Sequence, residues 1–323
     1  MSLRAFRVGV VGARRARRGV GAHLARLFHA AGTKVVAVAG TSAATAAEAA
    51  RALADLHGIE AAPYDDPARM VREAGLDALV VASPHATHVP LLALALAARL
   101  HVLCEKPLAW GTVDAPARGE RLVAAYAAAD LCLAVNTPLR HTLATYLQLF
   151  PDVNPRAART FVLEASPPST GDDMLPDALP HPLALLDHLW PAATLGLRDV
   201  HVDRPDDRHA VVRFVHPGRD VACEVRLTTV PEPPRPLAYA FDGVWARRVI
   251  REPGYRLALT TASGDREVGL PDPMGTLVHQ FVARVRKGPP FLPDPTAVPG
   301  LRHLHDVLSA WPPIGVARRP GAG

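Results

Sequence analysis

Glu105-Lys106-Pro107 places a carboxylate and an ammonium directly after the apolar run His101 to Cys104. A lysine at the carboxyl end of a parallel strand can point at a ligand and polarise an oxygen on it. Residue type carries information here, because only Lys34, Lys106 and Lys287 are lysines among the 36 basic residues. Arginine stays protonated and cannot exchange a proton where lysine can. Upstream, Ala82-Ser83-Pro84-His85-Ala86-Thr87-His88 makes a second strand-to-helix turn of the same kind. Within it, His85-x-x-His88 has no third or fourth ligand at suitable spacing, so no metal site is expected. Cys104, Cys132 and Cys223 are widely separated, odd in number and without metal-ligand spacing, which argues against a disulfide framework or zinc.

A second set of candidates lies near the amino terminus. The apolar run Arg7 to Val11 leads into Gly12-Ala13-Arg14-Arg15-Ala16-Arg17-Arg18-Gly19-Val20-Gly21 and then an amphipathic segment. Dinucleotide-binding folds seat a pyrophosphate at such a junction, since glycine allows close backbone approach and the helix amino terminus supplies N–H donors. The spacing is not GxGxxG. Either Gly12 is the first glycine, with Arg14 and Arg17 in the other two positions, or the loop is longer and Gly19 or Gly21 makes the close approach. The arginines, Arg15 included, could also hold phosphate directly. After the second strand the chain reads Ala39-Gly40-Thr41-Ser42, with no carboxylate to repel a 2′-phosphate. Thr41 and Ser42 can hydrogen-bond one, which predicts NADP, with NAD as the other option. The competing reading is that Gly40 to Ser42 turns the chain and caps the next helix.

These turns need strands and helices to hold them. Before Asn136, short β-branched runs (7–11, 35–39, 78–82, 101–104, 131–135) alternate with Ala/Leu-rich segments (21–31, 43–57, 67–74, 88–98, 113–129). That rhythm is the βαβ pattern of a doubly wound parallel sheet. Six prolines fall in residues 1–135 and the other 26 of 32 beyond, so a domain boundary is placed near Asn136, giving domains 1–135 and 136–323. Asn136, Arg140 and His141 follow the last strand of the first domain, as cleft or hinge residues. The second domain reads as α+β, with seven strand segments between 159 and 261 and helices at 182–190 and 274–287. Alternation of Cys223, Val225 and Leu227 with Glu224, Arg226 and Thr228 fits a mainly antiparallel open sheet buried on one face. The end, Gly315 to Gly323, has the composition of a loose tail.

Composition narrows the class. Hydrophobic residues make up 49% and charged residues 21%, so neither disorder nor a fibre is expected. A net charge of +5 over 323 residues is weak support for nucleic-acid binding, and none is expected. The longest apolar stretches are too short and too interrupted to span a bilayer, and no signal-peptide pattern opens the chain, so a cytoplasmic protein without membrane association is expected.

With Ser83-Pro84…His88 followed by Glu105-Lys106-Pro107, the sequence resembles the Gfo/Idh/MocA family of oxidoreductases. The resemblance is clearest from Leu76 to Val135. It implies a Rossmann-type first domain, with Ser83, Pro84, His88, Glu105 and Lys106 on the cofactor side together with the glycine and arginine loop. It also implies an Asp-x-x-x-His pair early in the second domain, matched by Asp177-Ala178-Leu179-Pro180-His181. Lys106, Asp177 and His181 would then be the catalytic group. Lysine would polarise the reacting oxygen, histidine, with a pKa near 6.5, would carry the proton, and aspartate would orient the group. Pro182 departs from the family pattern and predicts a helix starting there with His181 just outside it. Asp187-His188 is the fallback pair. The implied activity is nicotinamide-dependent hydride transfer at a hydroxyl or carbonyl carbon of a sugar, cyclitol or related polar metabolite, in a homodimer or homotetramer. An imine reductase and a non-catalytic NADP-binding sensor or partner module are the alternatives.

Overall fold

The computed structural model describes residues 5–14, 20–192, 194–252 and 256–312. The chain divides into two compact units, Met1–Asn136 with Met274–Ala297 and Thr137–Pro273 with Val298–Gly323. Elements of the first stretch are β1 (Arg7–Val11), α1 (Val20–Ala30), β2 (Lys34–Ala39), α2 (Ala43–His57), β3 (Ala62–Tyr64), α3 (Pro67–Glu73), β4 (Ala78–Val81), α4 (His88–Ala97), β5 (His101–Glu105), α5 (Ala115–Ala128) and β6 (Leu133–Asn136). They are followed by α6 (Leu143–Leu149), β7 (Thr160–Ala165), α7 (Met174–Ala178), α8 (Pro180–Leu189), β8 (Arg198–Asp203), β9 (His209–His216) and β10 (Val221–Thr228). The last elements are β11 (Leu237–Phe241), β12 (Val244–Arg251), β13 (Arg256–Thr261), β14 (Glu267–Leu270), α9 (Pro273–Lys287) and α10 (Ala297–Ala310).

In the first unit, β3-β2-β1-β4-β5-β6 form one sheet, and every pair in it is parallel. This is the doubly wound order of a Rossmann fold, reversing direction between β1 and β4. Helices cover both faces, so Val8, Val10 and all of β4 are buried and the strands read as continuous apolar runs instead of alternating ones. β3 escapes sequence reasoning because it is three residues long and contains Pro63, tolerated on an edge strand. Local chemistry sets the helix starts. Asp66 accepts from the Ala68 and Arg69 amides to cap α3, with Pro67 in its first turn, and Gly58 closes α2 in the left-handed conformation.

One division differs from the sequence expectation. The amphipathic segment 274–287 belongs with the first unit, where Leu277, Val278, Phe281 and Val282 of α9 join the core cluster of Val8, Leu24 and Phe28. Phe28 and Phe281 meet edge to face at 5.7 Å. Burying that apolar stripe outweighs sequence proximity to the second unit.

The second unit holds a sheet of order β14-β13-β12-β11-β7-β10-β9-β8. Its pairs are antiparallel except β10 with β7. Val221, Cys223, Val225 and Leu227 are buried on one face of β10 as the alternation requires. The outward face carries an ion-pair ladder linking Arg213, Glu224, Arg226 and Glu164. Four elements here are absent from the sequence reading, α7 among them. α6 and β14 are short, and α10 opens on Pro299 and Gly300, which read as a break although proline fits a helix's first turn. Among the described residues, no helix is long and apolar enough to cross a membrane.

Candidate active site and nucleotide-binding edge

The carboxyl ends of β1 and β4 lie side by side at the point where the sheet order reverses. Gly12, the first residue after β1, has φ +95°, and a Cβ there would stand 2.5 Å from the Ala82 carbonyl oxygen and 2.7 Å from the Ser83 nitrogen. A side chain is therefore excluded on both conformational and steric grounds. Gly21, the second residue of α1, is equally constrained, since its Cβ would meet the Gly12 carbonyl oxygen at 2.5 Å. Gly12 and Gly21 are thus both packed against neighbouring backbone. Arg15, Arg17 and Gly19 lie outside the described residues. Arg14 is exposed, with its Nε 3.7 Å from Glu48 on α2.

Thr41 and Ser42 stand at the start of α2. The Ser42 hydroxyl accepts from the Thr45 amide, and the Thr45 hydroxyl accepts from the Ser42 amide, a complete capping box. Thr41 Oγ1 lies 3.5 Å from Thr45 Oγ1. Capping, the competing reading of this turn, is in place.

After β4, Ser83 Oγ and Thr87 Oγ1 are 2.6 Å apart, and Pro84 is exposed beside them. His88, expected on the cofactor side, is buried. Its Nε2 lies 2.9 Å from the Ser83 carbonyl and its Nδ1 2.8 Å from the Pro107 carbonyl. Burial holds this imidazole below its ordinary pKa, against the opposing pull of those carbonyls. His88 therefore joins the β4 turn to the Glu105-Lys106-Pro107 turn and presents no ring nitrogen to a ligand. His85 instead meets Trp110 edge to face at 6.5 Å; Trp110 escaped the sequence reading, its one signal being its place just beyond Pro107.

Glu105 ends β5 and Lys106 follows it, both half-buried. Glu105 accepts a hydrogen bond from Asn136 Nδ2, its register partner on β6. Cys104 is fully buried, and burial followed by the Glu105 charge pushes its thiol well up, so it is no nucleophile.

In the second unit, Asp177 lies on α7 and His181 on α8. Leu179 between them has helical dihedrals, and the Leu179 and Leu183 amides donate to Leu175 and Leu179 across the junction. The path from Met174 to Leu189 is effectively one right-handed helix. Pro180 and Pro182 sit in the first turn of α8, where proline is tolerated in a helix. His181 is therefore inside the helix, contrary to the expectation drawn from Pro182, and the spacing of four puts Asp177 and His181 on one face. Asp177 accepts from Ser169 Oγ at 2.8 Å.

The fallback pair separates, because Asp187 is buried and His188 is exposed. Asp187 instead meets His216 Nε2 and His303 Nδ1, each 3.1 Å from its Oδ1, the one group among the described residues with metal-ligand proximity. The Gly218 amide faces His216 Nδ1, so His216 donates from Nε2 to Asp187. The Leu195 carbonyl accepts from His303 Nε2, which leaves Nδ1 facing the Asp187 carboxylate. Burial alone would lower the His303 pKa, but the Asp187 hydrogen bond and charge, with Leu195 and Asp306, raise it.

Residues 6–137 match the model of the Gfo/Idh/MocA family, described as an oxidoreductase family with an NAD-binding Rossmann fold. Inositol 2-dehydrogenase 1 of Saccharopolyspora erythraea is 42% identical over 106 residues, 29% of this chain and 29% of that protein. Inositol 2-dehydrogenase 4 of the same organism is 38% identical over 111 residues, 33% of this chain and 30% of that protein. The chain thus aligns with about three-tenths of each relative's length. Solved structures share the fold across both units. A 3-ketoreductase from Actinomadura kijaniata in complex with NADP superposes with TM-score 0.71 at 21% identity, covering 96% of this chain and 99% of that one. UDP-N-acetylglucosamine 3-dehydrogenase from Acidithiobacillus ferrooxidans gives 0.67 at 20%, covering 95% and 97%.

Proposed function

We propose that the protein is a nicotinamide-dependent oxidoreductase acting on a hydroxyl or carbonyl carbon of a sugar or cyclitol, with NADP as its preferred cofactor. The observation that carries this is Lys106 at the carboxyl end of β5, beside the switch point of a Rossmann domain of an oxidoreductase family. The residues present fit a dinucleotide: Gly12 and Gly21 leave room only for backbone at the β1–α1 junction, and Ser83 and Glu105 stand at the same edge. When bound, the nicotinamide accepts or delivers the hydride.

The chain's own groups supply the rest. The Lys106 ammonium donates to the substrate oxygen and stabilises the charge that develops there. His181 takes the proton from that oxygen in oxidation and returns it in reduction, and Asp177, one turn earlier, orients the imidazole. The Glu105 carboxylate accepts from ribose hydroxyls. Preference for the 2′-phosphate rests mainly on Arg14, placed over α2, and on the lack of a carboxylate at 39–42, since the Ser42 hydroxyl is engaged in capping. Sugars and cyclitols are favoured by the inositol dehydrogenases and the sugar-nucleotide dehydrogenase among the similar proteins. Self-association through the outer face of the second unit's sheet, as a homodimer or homotetramer in the cytoplasm, completes the reading.

A screen of polyols with NADP and NAD, and of keto sugars with NADPH and NADH, tests it. Substrate-dependent cofactor turnover that disappears in Lys106→Ala is the expected result. A protein that binds nucleotide yet turns over neither these compounds nor cyclic imines is a binding module instead.

A further inference from the structure

Asn136 closes β6 at the carboxyl edge of the first unit's sheet, in register with Glu105 on β5. It is 2% exposed, an unusual place for an amide side chain. Its orientation is determined by chemistry. An ionised carboxylate only accepts, so the amide nitrogen must face Glu105, and that nitrogen also lies 3.7 Å from Met274 Sδ. The amide oxygen is buried and, among the described residues, has no hydrogen-bond partner. A side chain buried with half its polar atoms unmatched costs the fold stability, and an apolar residue would cost less.

We infer that Asn136 is a positioning residue for the cofactor, holding the Glu105 carboxylate at the angle at which it receives the vicinal hydroxyls of a ribose. The inference rests on the nicotinamide-dependent reading of the site. Asn136 acts through Glu105 and touches no reacting atom. It lies at the end of β6, so a change there alters the direction of Glu105 while leaving Lys106, the next residue of β5's own turn, in place.

Asn136→Asp keeps the shape and exchanges the donor for a second carboxyl group. Two carboxyl groups at this distance cannot both ionise without repulsion, and one shared proton restores a hydrogen bond between them. Lys106 is the neighbouring charge on the same turn and is common to both proteins, so the wild type is the control. NADPH binding is measured by fluorescence titration of both proteins from about pH 5.5 to about pH 8.5. The variant is expected to bind like the wild type at the acidic end and about tenfold more weakly at the alkaline end, a step the wild type lacks. Asn136→Ala, with folding checked by circular dichroism, is expected to bind about tenfold more weakly at every pH and carries the test if the aspartate variant does not fold. Variants that track the wild type at every pH overturn the inference. A wild type that binds no nicotinamide nucleotide overturns the functional reading itself, and the inference with it.

Discussion

Gly21 rides on Gly12: a Cβ at Gly21 would stand 2.5 Å from the Gly12 carbonyl oxygen, and a Cβ at Gly12 would strike Ala82 on the neighbouring strand. Two glycines nine positions apart are thus held against backbone at the carboxyl end of β1. One permits the tight turn after β1, and the other lets α1 start against it.

Gly21→Ala should therefore act on both stability and binding. The nearest atom is backbone, which cannot rotate away, so α1 must shift; a loss of about 1–3 kcal/mol in urea unfolding is expected, together with weaker nucleotide binding. Unchanged stability and affinity would show that α1 is not seated as described.

Lys106→Ala should separate chemistry from binding. Loss of the donor to the reacting oxygen is expected to lower kcat/KM by about 10²- to 10⁴-fold while NADPH affinity changes little. His181→Asn should lower kcat comparably and remove a limb of its pH profile, because the proton carrier is gone. Steady-state kinetics across pH check both.

Arg14→Ser tests the cofactor preference. One charge-assisted contact is worth enough that NADPH binding should weaken by about tenfold with NADH binding unaffected, and the gap between the two should narrow as salt rises. Equal weakening of both nucleotides would place Arg14 at the pyrophosphate.

Two buried histidines set opposite pH limits on stability. The folded His303 pKa lies above the ordinary 6.5, so the stability its pairing with Asp187 contributes is fully present below about pH 6.5 and is lost as pH rises through the raised value. The folded His88 pKa lies below 6.5, so the folded state resists protonation and stability falls as pH drops from 6.5 through the lowered value. Asp187→Asn should cost about 3 kcal/mol near neutrality and flatten the alkaline limb of a urea-denaturation profile. An alkaline limb that persists in this variant would assign it to another group.

The first unit was legible because its signals are local. β-branched runs buried on both faces, Ala/Leu helices and turns ending on Gly12, Ser83 and Glu105 together specify a parallel sheet before any tertiary contact is known. What stayed hidden depends on partners far along the chain. α9 shows an apolar stripe but not which core receives it, and only the packing of Phe281 on Phe28 assigns it. His88 carries the residue type of a ligand, yet two backbone carbonyls, one of them 19 residues away, occupy its ring. Pro182 suggested a helix start, but the helical dihedrals of Leu179 carry the helix past it. Asp187, His216 and His303 come from three elements and meet only in the folded second unit.

The most direct test of the nicotinamide-dependent reading is a fluorescence titration of the purified protein with NADPH and NADH in parallel at one fixed ionic strength. Saturable binding of both, tighter for NADPH, is the predicted result. No binding of either would mean that the Gly12–Gly21 junction does not seat a dinucleotide, and would contradict the assignment of this protein as a nicotinamide-dependent oxidoreductase.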